Sequence, residues 1–195
     1  MDARFIKAFT SPGETRLLGH RMKPFSLKHR MALHAVESPF VTPGKEVSVL
    51  DLFVAVKICS EQSIRRLSLM DVIRIAYIKA KPERIEGYIM AFHSYSNIEN
   101  WPKFWEKEKK AGGSNGVPWI LSVVSSLIGN GWSEEDGWSL PESQAVWYHT
   151  AISINNGNDV SIMSEQDEFI MKNFESIAKE AKAKPRVRRP QKSQK

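Results

Sequence analysis

The amino-acid sequence predicts an all-α protein, an irregular multi-helix bundle with an N-terminal arm and a disordered basic C-terminal tail. Three observations carry that prediction. Helix-capping residues recur ahead of apolar stripes at helical spacing, strand-like alternation is scarce, and the final segment is cationic without apolar anchors. A chain of 195 residues is long enough to bury a core. Its hydrophobic content of 42%, with 10% aromatics, argues against general disorder.

The first 24 residues mix short apolar pairs with Pro12-Gly13 and Lys23-Pro24, which predicts an arm or small extended segment over 1–24. A helical subdomain follows over 25–110. Ser26 opens the helix "LKHRMALHAVE", and Pro39 closes it because the residue before proline avoids the α region. Ser48 opens "VLDLFVAVKICSE", where Val49, Leu52, Phe53, Val56 and Cys59 recur at helical spacing, and this is expected to be the most buried helix. Ser68, with Asp71 three residues on, starts "LMDVIRIAYIKAK" with an acidic variant of the capping box. Pro82 suits the first turn of the next helix, since a proline nitrogen there forfeits no intrahelical bond. A short amphipathic piece, "PKFWEKEKK", leads to a linker loop at 111–117.

A C-terminal helical subdomain is expected over 118–181. Pro118 starts a helix with Ile120, Val123, Val124 and Leu127 on one stripe, and Gly129 and Gly131 provide its stop. Ser133-x-x-Asp136 caps a short turn, and Ser139-x-x-Glu142, with Pro141 at an early helical position, caps a longer helix ending near Gly157. Ser164-x-x-Asp167 repeats the device for a last helix, on which Ile170, Phe174, Ile177 and Ala181 share a face. The tail, 182–195, holds seven of the 28 basic residues and no acid, leaving 21 basic against 22 acidic residues in the rest. The formal charge of +6 therefore belongs to the tail, where Pro185 and Pro190 oppose helical continuation.

Reactive chemistry finds little support. His29 and His34 are five residues apart, which turns one about 140° around a helix from the other and off a shared ligand face. H-E-x-x-H is absent, and His20, His93 and His149 add no ligand spacing, so no metal is expected. Cys59, the single cysteine, sits on an apolar stripe and reads as a buried, inert thiol. Glu83 and Glu86 complement a helix N-terminus, and "GGSNG" lacks the pattern of a phosphate loop. A non-enzymatic protein without cofactors is expected.

The aromatic block of residues 131–157 offers packing surface instead. Trp147, Tyr148, Ala151 and Ile154 fall on one broad helix face, with Glu142, His149, Ser153 and Asn156 on the other. The first face is expected to turn to the core, and its alternative use is partner binding. Trp132 and Trp138 flank the short capped turn, where one can staple the turn and the other stay available to a partner. Trp119, Trp132, Trp138, Trp147 and Tyr148 are thus the candidate partner-binding residues. Lys184, Arg186, Arg188, Arg189 and Lys192 are the candidate polyanion contacts, although the tail lacks the interleaved aromatic residues of single-strand binders.

Residues 17–41, "LLGHRMKPFSLKHRMALHAVESPFV", and 118–157, "PWILSVVSSLIGNGWSEEDGWSLPESQAVWYHTAISINNG", resemble helical proteins of tailed phages and prophages, in particular tail assembly chaperone-like proteins. The second stretch carries the likeness through a "W-x-L" helix start, a Gly/Asn stop, a "GxSEE" turn, and "W-x-[LM]-P" leading into an aromatic helix. The resemblance implies an assembly factor that binds a hydrophobic, helical tape-measure protein before the tail tube polymerises and is absent from the finished virion. It places the protein in the host cytoplasm, with an apolar-aromatic groove receiving the partner in the helix-in-groove manner. The alternatives are a virion structural or connector protein that associates with its own copies, and a nucleic-acid binder acting through the tail. No apolar run approaches the about 18 residues of a membrane span, and no secretory signal opens the chain, so a membrane partner is not expected.

Overall fold

The computed structural model describes residues 2–10, 15–42, 44–62, 67–96, 100–105 and 116–183, with side chains described through Phe174. Its described elements are mainly helical. They run α1 (Ala3–Thr10), β1 (Thr15–Leu17), β2 (His20–Met22), α2 (Leu27–Ala35), α3 (Val49–Cys59), α4 (Leu69–Ala80), a 3-10 turn (Pro82–Arg84), α5 (Ile85–Tyr95), α6 (Trp119–Gly129), α7 (Glu134–Ser139), α8 (Glu142–Asn155) and α9 (Glu165–Ala183).

Local capping chemistry sets most helix starts. Ser48 and Asp51 form a reciprocal capping box on α3, and Ser68 and Asp71 form one on α4. Ser164 and Asp167 make the same pair of bonds ahead of α9, and Ser133 accepts from the Asp136 amide ahead of α7. At α2 the third helical residue is His29, whose Nδ1 accepts from the Ser26 amide where an acid would ordinarily serve. One expected cap is not made: Ser139 is the last residue of α7, and Glu142 turns away from it into the protein. Pro141 takes the cap position of α8 with no side-chain bond. Residues 102–105 of the expected amphipathic piece are not helical, because Phe104 pairs with Ile162 in an isolated antiparallel bridge. Its residues 106–110, and 111–115 of the expected linker, lie outside the described residues.

The segment expected as an arm is built into the fold at both ends. Phe5 and Phe9 of α1 pack against Trp147 and Tyr148 of α8, with ring centroids 5.4 Å apart in each pair. The antiparallel hairpin pairs Leu17 with His20 across a two-residue turn, in which Leu18 has φ 50 and Gly19 φ 75. Two positive φ values match the right-handed strand twist. Leucine is a poor residue for that conformation, and burial of its side chain offsets the strain. An added Cβ at 19 would also meet the Arg74 guanidinium at 2.4 Å, so that side chain would have to move.

Two apolar clusters make up the interior of the described residues. The first joins Leu17, Leu18, Met22, Phe25 and Leu33 to Leu52, Phe53, Val56, Cys59, Ile78, Phe92 and Tyr95. The second joins Ile120, Val123, Val124, Leu127 and Ala145, with Trp132 and Trp138 packed at its edge. Helix α2 serves both, because Leu27 belongs to the second cluster and Leu33 to the first. The buried Glu142 amide donates to the Phe25 carbonyl at 2.7 Å, and the Glu142 carboxylate pairs with Arg30. Helix α3 is the densely buried one expected, and Lys57 is buried with it.

Lys57 is accommodated by Asp71, which is 1% exposed. Its Nζ lies 2.7 Å from one Asp71 oxygen, while His20 Nε2 and Arg74 Nη1 lie 3.2 and 3.7 Å from the other. Asp71 therefore caps α4 and neutralises the lysine of α3 with one side chain. No helix among the described residues is long and apolar enough to cross a membrane.

Candidate functional site

A cleft of about 730 Å³ opens between the extended segment at 100–105 and helices α6 and α8. Its walls are Trp101, Phe104, Val117, Trp119, Val146 and Val160, and its few polar side chains include Ser122, His149 and Ser153. The volume and the apolar lining with few polar groups are those of a small-ligand or anchor-residue pocket. Each wall has a local cause. Pro102 disfavours a helical Trp101, and the bridge to Ile162 holds Phe104 extended. Trp119 stands on the first turn of α6, one turn before Val123, with which it lines the cleft at the solvent edge of the buried stripe. His149 and Ser153 lie one turn apart on α8.

Behind the aromatic wall lies a charge. The Trp101 and Trp119 rings meet at 5.2 Å, and the Arg30 guanidinium sits 5.6 and 5.8 Å from their centroids and 5.4 Å from that of Phe25. Arg30 thus holds Glu142 by an ion pair and three aromatic faces by cation–π attraction. Burial raises the Glu142 carboxyl above its ordinary range, and the Arg30 contact pulls it back. Burial lowers His149, so a neutral imidazole faces the cleft, its Nδ1 enclosed without a hydrogen-bond partner. Trp101 Nε1 is likewise buried without a partner.

The same desolvation sets an acid response for the whole protein. His20, His29 and His149 are all held below 6.5, with burial the largest cause in each. Between 6.5 and those lower values the unfolded chain binds more protons than the folded one, so acidification costs stability. The urea midpoint is therefore expected to fall between pH 7.5 and 5.5, and an unchanged midpoint would contradict the assignment.

The candidate residues do not converge on one site. Trp119, partly exposed, lines the cleft. Trp147 and Tyr148 border a second cavity of about 450 Å³ on the other flank of α8, together with Phe5, Phe9, Ala151 and Ile154. Trp147 is 9% exposed, and its Nε1 donates to the Asn100 carbonyl at 2.9 Å. Tyr148 is at the surface between Phe9 and Trp132. Trp132 and Trp138 are half-buried against the second cluster.

The expected division of α8 into an apolar inner face and a polar outer one is corrected. Glu142 is buried, while Tyr148, Ala151 and Ile154 are exposed. The cause is that α8 touches α1, α2 and α6 at different points along its length, so no single face is inward. Trp101, Phe104, Val160 and His149 were not singled out for a site by sequence. Only the "WPKF" run, with proline breaking an aromatic-rich segment, carries a signal for the first two.

Other chemistry is sparse. Among the described residues no group of three or more His, Cys, Asp and Glu side chains is placed to hold a metal. Burial pushes the Cys59 thiol up to about 12, so it stays protonated at neutral pH. His29 is buried in its capping bond, and His34 is exposed. Lys184, Arg186, Arg188, Arg189 and Lys192 lie outside the described residues, and so does the expected disorder of the tail over 184–195. The backbone of α9 continues through Ala183, two residues into the segment expected as tail. The chain matches no family model, no curated protein and no solved structure.

Proposed function

We propose that this protein is a non-enzymatic assembly factor of the tailed-phage tail-chaperone kind, acting in the host cytoplasm on a hydrophobic helical partner such as a tape-measure protein. The observation that carries the reading is the apolar cleft with Trp101, Phe104 and Trp119 on its walls. Its volume suits one or two large side chains and not a whole helix, so the partner helix lies across the mouth and inserts an anchor. A neutral His149 adds no charge that an apolar anchor would have to desolvate. The resemblance of residues 17–41 and 118–157 to tail assembly chaperone-like proteins supports the same class of partner.

Titrating the protein with apolar helical tape-measure segments, followed by calorimetry, tests this. Trp119→Ala is expected to weaken binding about 30-fold, the loss of a hot-spot aromatic, with the thermal midpoint little changed because Trp119 is partly exposed. Equal affinity for the variant and the parent would remove the cleft from the mechanism. The virion-component reading gives a different result, the presence of this chain in purified particles.

The tail is separable from that cleft. Deleting 184–195 is expected to leave the thermal midpoint nearly unchanged and to remove most salt-sensitive binding to DNA or RNA, since the remaining charge is close to balanced. Retention of full affinity and salt slope would move nucleic-acid binding into the helical body.

A further inference from the structure

Helix α4 is apolar on the side that faces solvent as well as on the side that faces the protein. Its inward side carries Asp71, Ile75 and Ile78. At about 100° per residue, the outward positions from Val72 round through Leu69 and Ile73 to Met70 span about 160° of arc, and every residue within it is uncharged. All four are exposed, Leu69 at 77%. The seam that one partner helix covers is narrower, as in the a/d stripe of a coiled coil. An arc close to half the circumference fits a helix half-immersed along its length in an apolar layer.

Charge stands where such a layer would meet water. Lys79 borders the arc beyond Val72. At the other border Lys81 and Arg84 converge on Tyr77, with the lysine Nζ 5.2 Å and the guanidinium 5.3 Å from its ring centroid, and Arg84 also donates to the Tyr77 hydroxyl. A tyrosine between cations is the side-chain set of a membrane–water interface, where the ring sits at headgroup depth and long basic side chains reach out to phosphate. Asp71 is buried against Lys57 and offers this face no negative charge, and Glu83 is the one exposed acid between residues 67 and 85.

We propose that the outward face of α4 docks on the surface of an anionic phospholipid bilayer. Leu69, Met70 and Ile73 enter the acyl boundary, and Lys79, Lys81 and Arg84 meet the lipid phosphates. Such contact is interfacial, so the lack of a spanning helix among the described residues does not bear on it. None of these residues lines the aromatic cleft, and bilayer contact and partner binding are therefore independent.

Co-sedimentation of the full chain with vesicles tests the contact. The parent is expected to bind vesicles of phosphatidylcholine and phosphatidylglycerol in equal parts at least about tenfold more tightly than vesicles of phosphatidylcholine alone. Leu69→Gln combined with Ile73→Gln leaves the net charge and the basic tail unaltered, and is expected to weaken binding to the mixed vesicles at least about tenfold with unchanged circular dichroism, since both positions are exposed. A polarity-sensitive fluorophore on Met70→Cys, for which the buried Cys59 does not compete, is expected to shift to shorter wavelength on the mixed vesicles. Failure of the parent to bind, or an unshifted fluorophore, would overturn the proposal. Equal binding by parent and double variant would overturn it too, by placing the contact in the basic tail. So would a parent that ignores vesicles and forms a stoichiometric complex with an acidic amphipathic peptide, which would assign the face to a protein.

Discussion

Replacing Trp147 by alanine is expected to cost about 3–5 kcal/mol, the range for deleting a large buried aromatic side chain. Its indole meets Phe5 edge-on and donates to the Asn100 carbonyl, so it ties α1 and the extended segment to α8. Alanine would remove the ring contact, open a cavity and withdraw the donor from a buried carbonyl. Trp132→Ala and Trp138→Ala are expected to cost distinctly less, because both rings are half-buried at the edge of the second cluster. Urea unfolding followed by circular dichroism measures all three without relying on the tryptophans being changed. Equal losses would mean that Trp147 is not the residue joining these elements.

Asp71→Asn is the second large effect, expected at about 3–5 kcal/mol because breaking a buried ion pair strands the surviving charge. Asparagine can keep one capping acceptor for Ser68, but it leaves Lys57 buried without its anion. The loss should depend on pH in a defined direction. Burial opposes ionisation of Asp71, but the combined bonds from Lys57 and Ser68 outweigh it and hold the carboxyl far below its ordinary 3.8. Its contribution is complete above 3.8 and disappears as pH falls through the lower folded value, so the gap between variant and parent should close in strong acid.

Glu142 responds with the opposite sign. Its folded value is raised, so stability from this group falls as pH rises above 4.5 and the unfolded chain ionises first. Glu142→Gln should therefore narrow its deficit against the parent over that interval. A gap for Asp71→Asn that widened in acid would refute the charge assignment at α4.

Features set by neighbours in the chain were legible before any folding was considered. The Ser-x-x-Asp pairs at 48, 68, 133 and 164 start helices because both partners lie within one turn. The stripe Ile120, Val123, Val124 and Leu127 is buried as its spacing demands. Ser139-x-x-Glu142 failed although its pattern is the same, because pairing with the distant Arg30 directs Glu142 inward.

The cleft was only partly legible for a related reason. Trp119 was marked by its place at a helix start, but its opposing walls come from Trp101, Phe104 and Val160, on segments without helical period. What the sequence by itself determined was the helical class, most helix starts, the inert cysteine and the location of the net charge, all consequences of composition or of contacts within a turn. Only the tertiary structure decided which apolar faces are covered. Periodicity marks the stripe on α6 and the stripe on α9 alike, yet the first meets Ala145 and Leu27 while Ile170 and Phe174 of the second, with the outward face of α4, meet solvent. Hydrophobic burial is nondirectional, so a face's fate rests on which distant element arrives to cover it.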